Sequence, residues 1–314
     1  MNILIIGASG GLSQILIKIL RAEHPDYNIL GIDNRPTQNL FRDEKIQYIQ
    51  MKYSRGNFEN LFRHHEFDTV FHLARQTHTN NASGLLSQRM DFAMLGTARI
   101  LELCELKGIR NLIFLSTFHV YGAFSDNPVF LSESAPLRAS LKFPDLRDVV
   151  EMDQLCSTWM WKNQGKIKTV LLRPCNIIGT QINNSMTRYF AGPLSIKPID
   201  YNPHFQFLHE FDMANILYRS MNELPTGIYN VAGNDFISLE EAFKTTKTRV
   251  LPFPLSVAGV FNKGLKTINI DIPDYLIDYL KYSCLIANDE LTKILGKDFL
   301  RFSTKEALQA IRLK

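Results

Sequence analysis

The chain opens on an apolar run, Asn2 to Gly7, that leads straight into the turn Gly7-Ala8-Ser9-Gly10-Gly11-Leu12-Ser13. A run without polar alternation is what a parallel strand buried on both faces requires. Past the turn, Leu12, Ile15, Leu16 and Ile19 recur at helical spacing to about Ala22. Strand, glycine turn and helix in direct succession constrain this chain more than any other feature. Glycine permits the tight turn and lets backbone amides approach an anion with no Cβ in the way. The helix then offers its unpaired N–H groups and the positive end of its dipole. The spacing is Gly7-x-x-Gly10-x-x-Ser13, with a serine where a third glycine often stands. That position mainly serves close helix–strand packing, which a small serine tolerates. Gly7, Ser9, Gly10, Gly11 and Leu12 are the candidate diphosphate contacts.

The alternation continues. Tyr27 to Asp33, Ile46 to Gln50, Asp68 to Leu73, Asn111 to Ser116 and Lys168 to Arg173 read as strands. Asn57 to Arg63, a stretch ending near Lys107, and Asp145 to Lys162 read as helical. Strands alternating with helices give an α/β chain with a parallel sheet covered on both sides. After Pro174 turns, prolines and isolated helices dominate, with no further long strand–helix alternation expected. Asp212 is expected to cap a helix running through Met221, and Ser238 with Glu241 has the spacing of a capping box.

Asp33 ends the second strand about 20 residues beyond the last glycine, where a carboxylate can accept from adenosine ribose hydroxyls. Arg35 could instead pair with the extra phosphate of NADP. Asp33 would repel that phosphate, so the balance tips to NAD.

Composition excludes other classes. Of 314 residues, 45% are hydrophobic and 21% charged, which rules out wholesale disorder. The net charge of +4 is spread without a basic tract, against a nucleic-acid partner. No run approaches the roughly 18 apolar residues of a membrane span. Cys104, Cys156, Cys175 and Cys284 are scattered, giving neither a metal site nor a disulfide framework. The chain starts without a basic n-region or long apolar h-region, so a reducing cytoplasm is the expectation.

Several segments in order resemble the extended short-chain dehydrogenase/reductase family, in particular its NAD-dependent sugar-nucleotide epimerases and dehydratases. They are Gly7-x-x-Gly10, the acidic end of strand two, and Asp68-Thr69-Val70-Phe71-His72-Leu73-Ala74. Leu95-Gly96-Thr97 and Phe114-Leu115-Ser116-Thr117-Phe118-His119-Val120-Tyr121-Gly122 follow. Leu172-Arg173-Pro174-Cys175-Asn176-Ile177-Ile178-Gly179, Phe207-Leu208-His209-Glu210-Phe211-Asp212 and Tyr229-Asn230-Val231-Ala232-Gly233 complete the set. The resemblance implies a Rossmann-type doubly wound parallel sheet over residues 1–174, with 211–234 returning to it. A smaller C-terminal substrate lobe would occupy 175–314. It implies that Leu73 and Ala74 line the cofactor and that Asn176 lies beside the nicotinamide. Thr117 matches the catalytic Ser/Thr that bonds the substrate oxygen. A strand-end hydroxyl satisfying local backbone is the competing role for Thr117.

The resemblance fails at its chemical centre. Family members relay a proton through a tyrosine, with a lysine four residues on projecting from the same helix face and lowering the phenol pKa. Here Asp145 and Val149 occupy those two positions, and no tyrosine occurs between Gly122 and Arg188. The chain's one Tyr-x-x-x-Lys, Tyr48 to Lys52, falls in the third strand, where side chains alternate between faces. Lys52 also replaces a usual aspartate, and Ala93 a usual asparagine. Asp145 could act as an acid only if burial raised its pKa. A solvated residue at a helix N-terminus is the plainer reading. His72, His78, His119 and Tyr121 would lie near the cofactor groove, where a lone histidine is more often structural. His209 and Glu210 give no metal signature.

Two functions compete. One is an atypical oxidoreductase or epimerase (an isomerase) that binds NAD or NADP and acts on a nucleotide sugar without the usual relay. The other is a catalytically degenerate nucleotide- or metabolite-binding protein, a sensor or assembly partner. By family analogy, Met90 to Leu106 and Val149 to Met160 are apolar enough to join two chains as a homodimer.

Overall fold

In strand β1 (Asn2–Ile6) the absence of polar alternation has a direct cause. Ile3 and Ile5 pack into one hydrophobic core, while Leu4 and Ile6 pack into a second. Successive strand residues face opposite sides, so both faces of β1 are covered. The same division holds in β5 (Asn111–Leu115), where Ile113 and Leu115 join the first core and Leu112 and Phe114 the second. The structure is a computed structural model. It describes residues 1–37, 40–74, 96–255 and 274–311. His78, Met90 and Ala93 lie outside the described residues.

Four more strands of the main sheet are β2 (Asn28–Asp33), β3 (Ile46–Gln50), β4 (Thr69–His72) and β6 (Lys168–Pro174). Each falls within a residue or two of its sequence-predicted range. Helix α1 (Gly11–Glu23) covers the first core with Ile15, Leu16 and Leu20. On the second core lie α2 (Arg55–His64), α3 (Thr97–Leu106) and α4 (Arg147–Lys162), contributing Phe58, Phe62, Ile100, Cys104, Met152 and Cys156. The apolar stripes of α3 and α4 thus face the sheet, while Leu106 and Trp161 are exposed at the C-terminal ends of these helices.

Beyond β6 come β7 (Asn176–Ile178), α5 (Ser185–Ala191), β8 (Ser195–Pro198), β9 (His204–Phe205) and β10 (Phe207–His209). Then follow α6 (Glu210–Ser220), β11 (Gly227–Val231), β12 (Ile237–Ser238), α7 (Leu239–Thr246) and β13 (Val250–Phe253). The chain ends in α8 (Asp274–Tyr279), α9 (Asp289–Leu295) and α10 (Thr304–Ala310). Among the described residues the main sheet has seven strands, ordered β11-β6-β5-β4-β1-β2-β3 and parallel throughout. The order reverses between β1 and β4, and in open α/β sheets ligands bind outside the carboxyl ends of strands at that point.

Three sequence expectations need correction. Strand–helix alternation does resume after Pro174, because α6 packs on α1 and β11 pairs with β6. Asp212 does not cap its helix: His209 is the N-cap, and the Asp212 carboxylate accepts from Arg301 N and Phe302 N, tying down the C-terminal segment. Residues 144–146 form a separate 3-10 turn, so α4 starts at Arg147 rather than Asp145. Ser238 does cap α7, accepting from Glu241 N. Tyr189, Phe190, Phe205, Phe207 and Phe243 contact one another as a buried ring cluster, so these aromatics are core. All four cysteines are buried and free. No described helix is long and apolar enough to cross a membrane.

Candidate functional site

At the carboxyl end of β1 the chain reverses through Gly7, whose φ of +91° strongly favours glycine. A Cβ there would sit 2.8 Å from the Ala74 backbone, so the turn lies flat against the end of β4. Gly7 N and Ala8 N both donate to Ile32 O. Ser13, buried in the first turn of α1, donates its hydroxyl to Gly7 O at 2.8 Å. The serine in place of a third glycine therefore fastens the turn from inside. The amides of Gly11, Leu12 and Ser13 head α1, where the helix itself supplies them no acceptor.

Asp33 ends β2 beside this turn and is nearly fully buried. Its carboxylate accepts from Ser9 N at 2.9 Å, from Arg35 N at 2.9 Å, and from the Arg35 guanidinium at 3.0 and 3.1 Å. Burial pushes the Asp33 carboxyl up, but the bonds from Arg35 and Ser9 outweigh it and hold it below its ordinary value. Four donors fill the roughly four lone-pair positions of a carboxylate. Ribose hydroxyls can reach Asp33 only if Arg35 swings away, and its side chain is 59% exposed.

A loop roofs the turn. A Cβ on Gly11 would collide with the carbonyl of Gln181, and one on Gly179 with the Glu210 carboxylate. Glu210, 1% exposed at the start of α6, accepts from Thr180 N, Thr180 Oγ1 and Gln181 N at 2.9–3.1 Å. It holds the loop after β7 against the N-terminus of α1. Sequence reading missed this role, and nothing at Glu210 signals it, since its partners lie about thirty residues away.

At the carboxyl end of β5, Ser116 donates to Asp153 at 2.5 Å. Asp153 also receives the guanidinium of Arg173 at 2.6 and 2.9 Å, with both groups buried. Arg173 reaches on to Tyr121, whose phenol donates to Asn230. Burial pushes the Tyr121 phenol up to about 12, and it serves as a structural strut. This network joins α4, β5, β6 and β11 and fixes the backbone on which Thr117 stands. Thr117 Oγ1 accepts from His119 N at 3.3 Å and lies 2.9 Å from His119 Nδ1.

A cleft of about 480 Å3 opens at the carboxyl ends of β5 and β6, and among the described residues its lining includes none of the glycine turn. Arg35, Thr117, His119, Asn176, Arg188 and Tyr275 are among its lining residues. Asn176 is oriented by its Nδ2 donating to Gln206 O at 3.2 Å. Leu73 and Ala74 follow β4, with Leu73 N bonded to Ile6 O. Asp145 and Val149 do not line the cleft. Asp145 is exposed and Val149 is 4% exposed within the first core. Tyr48 is committed elsewhere, donating to Phe41 O, while Lys52 is exposed. His72 is buried against Phe114 and held neutral, its pKa pushed down to about 4 by burial. His209 stacks on Phe302 as the N-cap of α6.

The family model for the NAD dependent epimerase/dehydratase family matches residues 3–232. The chain belongs to that family. An uncharacterized protein of Mycobacterium tuberculosis is 23% identical over 263 residues, covering 82% of this chain and 69% of that one. The dTDP-D-glucose 4,6-dehydratase of Mus musculus is 23% identical over 186 residues, 57% of this chain and 51% of that protein. Among solved structures, the UDP-glucuronic acid 4-epimerase of Bacillus cereus with UDP-glucuronic acid and NAD superposes at a TM-score of 0.76 and 16% identity. That alignment covers 99% of this chain and 98% of that one. The UDP-glucose 4-epimerase of Thermotoga maritima with UDP-glucose gives 0.75 and 17%, over 99% and 97%. The epimerase/dehydratase fold is therefore present along nearly the whole chain.

Proposed function

We propose that this chain binds NAD and acts on a nucleotide sugar, as an oxidoreductase or epimerase working without the tyrosine–lysine relay. The observation that carries the reading is the cleft. Arg35, Thr117, Asn176 and Arg188 share its lining, which among the described residues holds two guanidinium groups, that of Arg35 paired with Asp33, and no carboxylate. A cavity with that charge suits a ligand pair bearing diphosphates.

The residues present fit the cofactor. Gly10 leaves open a cradle that a Cβ would fill, 3.3 Å from Gly7 O and 3.9 Å from Arg35 Nη2. The amides of Gly11 and Leu12 would hold the diphosphate, and Asp33, once released by Arg35, the ribose. NAD supplies a hydride acceptor and donor for a carbinol carbon. Thr117 would hold the substrate oxygen and Asn176 the flank of the reacting ring, while Leu115 and Met186 keep the cleft wall apolar.

The relatives include a dTDP-D-glucose 4,6-dehydratase, a UDP-glucose 4-epimerase and a UDP-glucuronic acid 4-epimerase, which supports the substrate class. Fluorescence titration with NADH and NADPH tests the reading, followed by turnover with UDP-glucose, UDP-glucuronic acid and dTDP-glucose. Saturable NADH binding with turnover of one sugar is the expected result; no NADH binding overturns it. A second reading, a binding protein without turnover, draws on the burial of Val149 and the position of Asp145 outside the cleft. Binding with no turnover would favour it.

A further inference from the structure

We propose that Thr117 and His119 form the proton relay of this site, with the imidazole replacing the missing phenol; this deepens the reading above and rests on it. The 3-10 turn Phe118–Val120 brings the His119 ring back over the end of β5, with Nδ1 2.9 Å from Thr117 Oγ1. The His119 N–H already donates to that oxygen. In the Nε2–H tautomer of His119 the Thr117 hydroxyl donates to Nδ1, and one lone pair of Oγ1 is left for a ligand hydroxyl.

Elimination within the cleft points to the same residue. Among the described residues its titratable lining groups are Arg35, His119, Cys175, Arg188 and Tyr275. The two arginines do not give up protons. Burial pushes the Cys175 thiol up. A tyrosine phenol ordinarily titrates near 10, whereas a histidine does so near neutrality.

The ring is also held in place. Phe118 lies 4.3 Å from it, Tyr279 4.9 Å, and Tyr275 meets it edge-on at 5.6 Å. The Tyr279 phenol donates to His119 O at 3.2 Å. Tyr275 and Tyr279 are positioning residues, brought from α8 in the C-terminal segment. Of the other ionisable groups on and beyond α8, Asp278 is paired with Lys142, and the Cys284 thiol donates to Gly122 O.

In the forward step the carbinol O–H proton passes to Thr117 Oγ1 while the Thr117 proton passes to His119 Nδ1. The carbinol C–H bond would break with its electron pair passing as hydride to bound NAD, the C–O bond becoming a carbonyl. The alcohol would be oxidised and NAD reduced, while the imidazole holds the proton until the return step delivers it back.

His119→Gln keeps hydrogen-bonding capacity and removes the titration. Its turnover of the nucleotide sugars is expected to fall at least about 100-fold, with NADH affinity held within about twofold of wild type. Thr117→Val should fall likewise, and Thr117→Ser should recover most of the loss. In wild type, the imidazole C2 proton signal assigned to His119 by its absence in His119→Gln should titrate between about pH 5 and 8, with its midpoint moved in Thr117→Val. Wild type that binds NADH while His119→Gln turns over at the wild-type rate overturns the relay alone. So does a His119 signal that does not titrate over that range, whether or not any sugar is turned over. Wild type that binds no NADH brings down the functional reading and the relay with it.

Discussion

The carboxyl ends of β1 and β5 stand one strand apart in the same sheet, separated by β4, yet they hold their function in different material. At β1 the proposed binding groups are backbone amides, and the side chains Ser13, Asp33 and Glu210 brace the turn or its roof. At β5 and the adjoining start of α4 the proposed chemistry would sit in side chains, two of which the family resemblance aligns with Asp145 and Val149. The framework beneath them is intact, because Asp153 still anchors Ser116 and Arg173. A function carried by backbone survives as long as its glycines do. One carried by side chains can be exchanged without disturbing the fold.

The largest expected effect breaks the β5 end at its framework. Asp153→Ala would leave the Arg173 guanidinium, 2% exposed, without its carboxylate. Removing one partner of such a buried pair costs about 3–5 kcal/mol. Urea denaturation should show that loss, and a change under ~1 kcal/mol would mean that the network does not carry the strand end. Next comes a perturbation that strikes both ends at once. His72 lies in β4 between them, and its folded pKa of about 4 is below the ordinary 6.5. Above that ordinary value neither state binds the proton and the contribution is complete. As pH falls toward 4 the unfolded chain takes the proton first, and about 3 kcal/mol is lost. His72→Gln should flatten the decline in denaturation midpoint across that window; an unchanged slope would assign it to other groups.

The β1 end breaks at Gly7. Gly7→Ala combines a strained φ, worth about 1–3 kcal/mol, with contact against the Ala74 backbone. The turn should shift and NADH binding should fall with stability, both by titration and by thermal melting. Retained binding would mean that the turn is not the diphosphate site. A milder change sharpens the comparison. Arg35→Ala removes the clamp on Asp33 and the cation beside the turn, so the preference for NAD over NADP should rise by about twofold to fivefold, the equivalent of an exposed ion pair. A fall in that ratio would place the cofactor elsewhere.

What could be read from the sequence follows the same division. The sheet was legible because strands buried on both faces leave continuous apolar runs, and the glycine turn because its geometry admits few alternatives at Gly7. That no tyrosine occurs between Gly122 and Arg188 is legible directly. The Asp33–Arg35 clamp was not, since two residues at a strand end can pair or part according to rotamer alone. Nor was the seat of Gln181 on Gly11, or the ring of Tyr279 beside His119, 160 residues apart in the chain. Such contacts are set by how the segments after β6 settle on the sheet, and no local spacing encodes that. His119 was visible as a residue, but its alignment with Thr117 depends on the 3-10 turn that follows β5.

The smallest expected effect is also the sharpest test of the contrast. The family resemblance aligns Asp145 with the family's tyrosine, and a carboxyl there invites a role as substitute acid. It is exposed, it stands on the turn before α4, and it does not line the cleft between Thr117 and Asn176. Surface substitutions of this kind stay within about 0.5 kcal/mol. Asp145→Asn should therefore leave the urea midpoint, NADH affinity and any turnover at wild-type values. Restoring the missing pair should fail for a related reason: Val149 is packed in the core, and a lysine there would carry its charge into an apolar site and be driven neutral or destabilise the fold. A turnover loss of more than about tenfold in Asp145→Asn would show that the start of α4 still performs proton chemistry, since a surface carboxylate with no such role has nothing worth ~1.4 kcal/mol to lose.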